Sequence, residues 1–363
     1  MKIRPKHIIL TSVTAIVLVA AYLAINCSSS KSSFPYPSLD KQRTDLINKP
    51  FVTPTRVLDS SIIINDLKYL ASDTCEGRRP GSDGHERAAE RIVNRMRETG
   101  LDSFDNSLIL PFETPIKGKM IAAKNIIGWI KGTQHPEKYI LISAHYDHLG
   151  KIGDSTYFGA SDNASGTACI LAMAKYFKQQ PHPYSLIFAA FDAEETGVKG
   201  ARHFTSHLPQ PLQLSSIKFN LNIDMIVRND DNEIFACGIY HYPSLKNIIK
   251  EIQLRTNTKI LMGHDKGAGR EDWTNLSDHY AFHLQKIPFL YFGTEDHIDY
   301  HRPTDTWNKI DLSSYIENCN MLTLLATMID PGDFPGNKTN LSPLLQLKNL
   351  PSVRNRKPKL FKI

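Results

Sequence analysis

Cysteine is scarce in this 363-residue chain: there are five, and no two form a C-x-x-C pair. Beyond Cys27, the residues Cys75, Cys169, Cys237 and Cys319 lie far apart and read as buried small apolar side chains. Two signatures of hydrolytic chemistry are also missing. No G-x-S-x-G elbow occurs, which disfavours a serine hydrolase, and no H-E-x-x-H helix is present. There are no internal repeats. The folded part also lacks a net basic charge. The net +6 comes from the ends: residues 1–27 carry +3 and residues 331–363 carry +6, which leaves −3 for residues 28–330. A nucleic-acid footprint is therefore not expected.

The start of the chain reads as an export signal. Lys2, Arg4 and Lys6 precede an apolar run from Ile8 to Ile25, and "LAINCSSSKSS" follows. The run is long enough to span a bilayer, and a Cys before a Ser-rich stretch is similar to a lipoprotein processing site. Residues 1–27 are thus expected to be a signal peptide or membrane anchor, with two readings open: a lipid-anchored lipoprotein through Cys27, or an uncleaved signal anchor. Both place the domain outside the cytoplasm, associated with a membrane through the N-terminus. Residues 28–57 read as a tether. Residues 331–363, where Pro, Asn and Lys dominate without periodicity, read as a basic mobile tail.

Between them, residues 58–330 alternate strand and helix signals. Ile63, Ile64, Leu67 and Leu70 have helical spacing, as do Ala89, Ile92, Val93 and Met96 in a helix expected to open on a capping box of Asp83 and Glu86 and to end at Gly100. Strands are expected at "KNIIGWI", "YILISA", "SLIFAAF", "FNLNID" and "PFLYFGT", with helices near 163–179, 198–206, 243–256, 277–285 and 311–330. This pattern predicts an α/β fold, a sheet covered on both faces.

The chemistry sits where those strands end. "ILISAHYDHLG" closes on His145, Asp147 and His148; "SLIFAAFDAEE" delivers Glu194 and Glu195; "FNLNID" delivers Asp224; "PFLYFGTEDHIDYH" leads to His301. "GASDNASG" sets Asp162 in a turn that opens a helix. In α/β sheets ligands bind outside the carboxyl ends of the strands, and imidazoles mixed with carboxylates are the donor set of hydrolytic zinc sites. His145 and Asp147 are two apart, on one face of an extended segment, so Asp147 is placed to hold the other ring nitrogen of His145. Adjacent carboxylates at a strand end point different ways, so one can bind a metal while the other takes a proton. His148 and Asp192 stay undecided. "SDHY", with Ser277 and Asp278, reads as a helix cap.

Together "AHYDHLG", "GASDNASGTA", "FDAEETGVKGA", "NIDM", "SDHYAF" and "YHRPTDTW" resemble metallopeptidase family M28, the co-catalytic zinc aminopeptidases and their carboxypeptidase relatives, over about residues 60–325. The resemblance implies a three-layer sandwich with a mixed, mostly parallel sheet of about eight strands. It implies two zinc ions, one held by His145, Asp162 and Asp224, the other by Asp162, Glu195 and His301, with Glu194 as general base and Asp147 orienting His145. The expected activity is that of an exopeptidase, most simply an aminopeptidase acting on peptides. Two alternatives stay open: a glutaminyl cyclase on the same fold, and a non-catalytic module.

Overall fold

The computed structural model describes residues 34–227, 232–266 and 271–329. The expected anchor, the first residues of the tether and the tail lie outside the described residues. Among those described, no helix is long and apolar enough to cross a membrane. The chain divides between Tyr36 and Pro37 into two units. Of the first, only residues 34–36 are described, and the rings of Phe34 and Tyr36 stack there with centroids 6.3 Å apart.

Among the described residues of the second unit, ten strands follow in chain order: β1 (Ile109–Ile116), β2 (Lys119–Ile130), β3 (His135–His145), β4 (Gly150–Ile152), β5 (Ser155–Tyr157), β6 (Tyr184–Phe191), β7 (Ile217–Ile223), β8 (Glu233–Cys237), β9 (Lys259–Met262) and β10 (Phe289–Gly293). Eight of them form one mixed sheet in the order β1-β2-β6-β3-β7-β10-β8-β9, while β4 and β5 make a separate hairpin. The four central strands β6, β3, β7 and β10 run parallel to one another. All eight residues of β6 are buried, as expected of a strand covered on both faces. The five strands read from the sequence are β2, β3, β6, β7 and β10.

Helices cover both faces. They are α1 (Leu39–Ile47), α2 (Ser60–Leu70), α3 (Asp83–Thr99), α4 (Ser165–Lys178), α5 (Lys199–Ser206), α6 (Lys246–Gln253), α7 (His279–Leu284) and α8 (Leu312–Met328). Helix α4 packs on β3, β6 and β7, and α2, α3 and α8 pack against it. On the other face, Phe191 of β6 meets Phe204 of α5 and Phe282 of α7 with ring centroids 5.7 and 6.0 Å away. Burying a side chain of this size stabilises by roughly 1.5–3 kcal/mol.

Three local expectations change. The tether region contains α1, capped by Ser38. Gln42 of α1 is buried because its side-chain amide pairs with the backbone of edge strand β9: Nε2 donates to the Met262 carbonyl at 2.9 Å, and the Met262 amide donates to Oε1 at 2.8 Å. Arg43 adds a two-pronged pair to Glu233, both bonds 2.8 Å. Helix α3 opens not on an Asp83–Glu86 box but on Ser82, whose hydroxyl accepts from the His85 amide at 3.2 Å. At α7, no side-chain cap bond forms, since the Ser277 hydroxyl accepts from Asn222 of β7 at 2.9 Å. The four cysteines in the described part are free and buried, as read.

Candidate metal centre

Because β6, β3, β7 and β10 are parallel neighbours, their carboxyl ends meet at one edge. Here the chain gathers the expected residues. His145 is the last residue of β3, Asp224 directly follows β7, Glu194 and Glu195 lie just beyond β6, and His301 follows β10. Asp162 comes from the turn before α4, where the Asp162–Asn163 peptide is cis. Gly159 starts this turn with φ +58°, and a Cβ there would meet the Asp162 carbonyl at 2.2 Å and the His148 ring at 2.5 Å. Only glycine lets the turn close so tightly.

Two donor clusters share Asp162. His145 Nε2 lies 3.2 Å from Asp162 Oδ1 and 3.2 Å from Asp224 Oδ1. On the other side, His301 Nε2 lies 3.0 Å from Asp162 Oδ2 and 3.3 Å from Glu195 Oε2. His148 also enters this second cluster: its Nδ1 is 2.8 Å from Glu195 Oε1 and 4.0 Å from Asp162 Oδ2. Donor atoms of His145, Asp162 and Asp224, and likewise of His148, Asp162 and Glu195, lie within 4.8 Å of one another. Nitrogen and carboxylate oxygen donors, arranged in two groups around a shared carboxylate, fit borderline divalent cations such as zinc.

The electrostatics agree with a site built for cations. Burial pushes His145 down, but Asp224 and Glu194 overcome it and carry the imidazole well above its usual range. Burial likewise opposes His301, yet Glu195 and Asp162 lift it to about 10. Glu195 falls to about 2: burial and Asp162 raise it, and His301 and His148 override them. These carboxylates hold positive charge nearby in any form.

Backbone groups position the ligands. The Asp147 carboxylate accepts the Glu194 amide at 2.9 Å and the Glu195 amide at 3.3 Å. The expected contact to His145 is looser: its Nδ1 is 3.2 Å from the Asp147 carbonyl and 3.7 Å from the carboxylate. Asp147 therefore fixes the two glutamates more directly than the histidine. Before them, Ala193 turns with φ +56°, and Asp192, left undecided by the sequence, accepts the amides of Ala193 at 2.7 Å and Lys124 at 2.8 Å. Asp192 thus braces the turn and does not enter the donor clusters.

Two further residues escaped sequence reasoning. The fully buried Arg78 donates to the carbonyls of Tyr146 (2.8 Å), Leu70 (2.6 Å), Phe158 (2.7 Å) and Gly159 (2.9 Å), drawing the His145 and Asp162 loops together. Asp305 accepts the Ser161 amide at 3.0 Å and the Asp162 amide at 3.3 Å. "GRRPGSDG" and "YHRPTDTW" contained both, but their partners are backbone groups far away in sequence, which no spacing reveals. His148 was visible, only without its partner. Trp273 stacks on His264 with ring centroids 3.7 Å apart, and the Tyr242 hydroxyl lies 3.0 Å from His283 Nδ1.

Comparison with known proteins gives the same picture. The chain is 38% identical over 106 residues to aminopeptidase YwaD of Bacillus subtilis, a stretch that is 29% of this chain and 22% of that protein. It is 30% identical over 128 residues to a glutamate carboxypeptidase 2 homolog of Caenorhabditis briggsae, 34% of this chain and 15% of the relative. The matched stretch thus spans under a quarter of the length of either relative. Among solved structures, a zinc aminopeptidase from Bacillus subtilis superposes with TM-score 0.59 at 17% identity, covering 77% of this chain and 98% of that one. Porphyromonas gingivalis glutaminyl cyclase superposes with TM-score 0.60 at 15% identity, covering 75% and 99%. At such identities these likenesses speak for the fold. The sequence profile of peptidase family M28 matches residues 125–326, which takes in every donor of both clusters and more than half of the chain, and so this chain belongs to peptidase family M28.

Proposed function

We propose that the chain is a zinc-dependent exopeptidase that removes N-terminal residues from peptides. The observation that carries this reading is the pair of donor clusters sharing Asp162, with the buried Glu194 beside them. His145, Asp162 and Asp224 would hold one zinc ion; Asp162, Glu195 and His301, with His148 against Glu195, would hold the other. When bound, zinc supplies Lewis acidity and brings the pKa of water toward neutrality. Glu194 supplies the base: its carboxylate takes the proton of the attacking water and hands it to the leaving amine, a contribution of roughly 10² to 10⁴ in rate. Asp147, through the amides of Glu194 and Glu195, keeps base and ligand pointing in their separate directions. Asp305 and Arg78 do the same for the Asp162 turn.

Glutaminyl cyclisation is the second reading, kept by the fold likeness to glutaminyl cyclases. The donor residues alone fit either reading, and the ion count together with the products separates them. The test is to load the purified chain with zinc, count the ions, and identify products from unblocked, N-blocked and Gln-initiated peptides. Two ions and release of the first residue support the peptidase; one ion and a pyroglutamyl product would replace it.

We further propose an extracytoplasmic, membrane-tethered location, from the basic start, the apolar run and Cys27. A Cys27→Ala chain that leaves the membrane supports the lipoprotein; one that stays supports a signal anchor; the unaltered chain free in the cytosol contradicts both.

A further inference from the structure

Beside the second donor cluster lies a cleft of about 290 Å³ whose lining includes His148, Glu195 and His301. Its other walls are unlike the donor clusters. Pro80, Pro115, Ile116 and Ile152 make it apolar, and Arg79, Lys117 and Lys199 make it cationic. Glu195 is the one carboxylate among the lining residues, and it is already matched by His148 at 2.8 Å and His301 at 3.3 Å. Among the described residues, neither Arg79 nor Lys117 forms an ion pair. Lys199 bonds only a carbonyl, that of Pro115.

The backbone sets where the side chains of Arg79 and Lys117 start, and a side-chain bond places Lys199. Lys117 and Gly118 form the two-residue turn between β1 and β2, with φ +49° and +77° and Ile116 paired to Lys119 across it. Such a turn is tight and fixes where its tip points. Lys199 ties that hairpin to the start of α5. Arg79 follows the buried Arg78 and packs over Gly150, where a Cβ would come within 2.3 Å of the Arg79 Cβ. A cleft with low-dielectric walls and uncompensated positive charge attracts an anion, and a guanidinium with an ammonium beside it grips a carboxylate.

We propose that this cleft receives a carboxylate of the substrate, gripped by Arg79 and Lys117, with the hydrocarbon next to it resting on Pro80, Ile116 and Ile152. The inference rests on the peptidase reading and gives it a substrate class: short or acidic peptides. The carboxylate is either the C-terminus of a dipeptide or an acidic side chain, and the test separates them.

Three compounds decide the source with the zinc-loaded full chain: Ala-Leu, Ala-Leu-amide, and Ala-Glu with its α-carboxyl amidated. The expected result is that Ala-Leu or the blocked Ala-Glu exceeds Ala-Leu-amide in kcat/KM by roughly tenfold to a hundredfold, the scale of a charge-assisted contact. In Arg79→Met with Lys117→Met this ratio should fall to about one, and Arg79→Lys should keep part of it. Equal use of all three compounds, or a ratio that survives the double variant, overturns the proposal. A second arm needs no hydrolysis: calorimetry should show N-acetyl-leucine binding at least about tenfold tighter than N-acetyl-leucinamide, an advantage lost in the double variant. A carboxylate gripped only by metal would bind both proteins alike and also overturn it. If no dipeptide is cleaved at full zinc content, the peptidase reading falls, while the calorimetry still decides the cleft.

Discussion

His148 Nδ1 lies 2.8 Å from Glu195 Oε1, while Glu195 Oε2 faces His301 at 3.3 Å. One carboxylate thus has a fixed oxygen and a presented oxygen. The imidazole is buried, and among the described residues its Nε2 has no partner, so the contact of Nδ1 with Glu195 is the ring's one hydrogen bond among them.

Removing that contact should loosen the second metal position without touching the first. His148→Ala is expected to weaken one of two zinc affinities by roughly tenfold to a hundredfold, as for other groups that orient a ligand, and His148→Asn should lose less. Competition titration with a chelating dye checks this. Two unchanged affinities would make His148 a packing residue.

Arg78 has a different task, and its loss should appear in stability. Arg78→Met leaves at least four carbonyls without their donor, so a cost of about 3 kcal/mol or more is expected. Urea unfolding of the zinc-free protein measures it directly. A cost under about 1 kcal/mol would mean that the loops hold themselves.

Acid should weaken the fold through its buried neutral histidines. Burial holds His279 down at about 3, and its Nε2–H donates to the Trp273 carbonyl at 3.0 Å. Its unfolded value is near 6.5. Being depressed in the folded state, it contributes fully above about pH 6.5. Below that the unfolded chain binds the extra proton, and stability drops by about 1.4 kcal/mol per pH unit until about pH 3. Zinc-free His279→Gln should therefore show a pH slope smaller by about one proton over this window. An unchanged slope would place the acid sensitivity elsewhere.

How much of this was legible depended on whether the signal was local. Strands β3, β6, β7 and β10 announced themselves by apolar runs, and the donors stood directly behind them. Strand β1 did not, because Pro111 and Pro115 interrupt it; it survives as a strand only at the sheet's edge, where a missing amide costs little. Strand β9 is four residues long, at the opposite edge. Helix α1 hid in a polar stretch because its anchor is one buried Gln42 amide bonded to that edge. The donors were readable because metal chemistry restricts residue type. Arg78, Asp305 and the bond from His148 to Glu195 were not, because each joins segments that only the folded sheet brings together.

The central claim is that adjacent glutamates divide the labour, Glu195 holding metal and Glu194 moving the proton. Zinc content and steady-state kinetics of Glu194→Gln and Glu195→Gln, measured side by side, test it most directly. Glu194→Gln should keep two ions and lose roughly 10² to 10⁴ in kcat with little change in KM, whereas Glu195→Gln should lose an ion and its activity with it. Zinc lost from Glu194→Gln and kept by Glu195→Gln, or near-normal rates in both, would contradict the account.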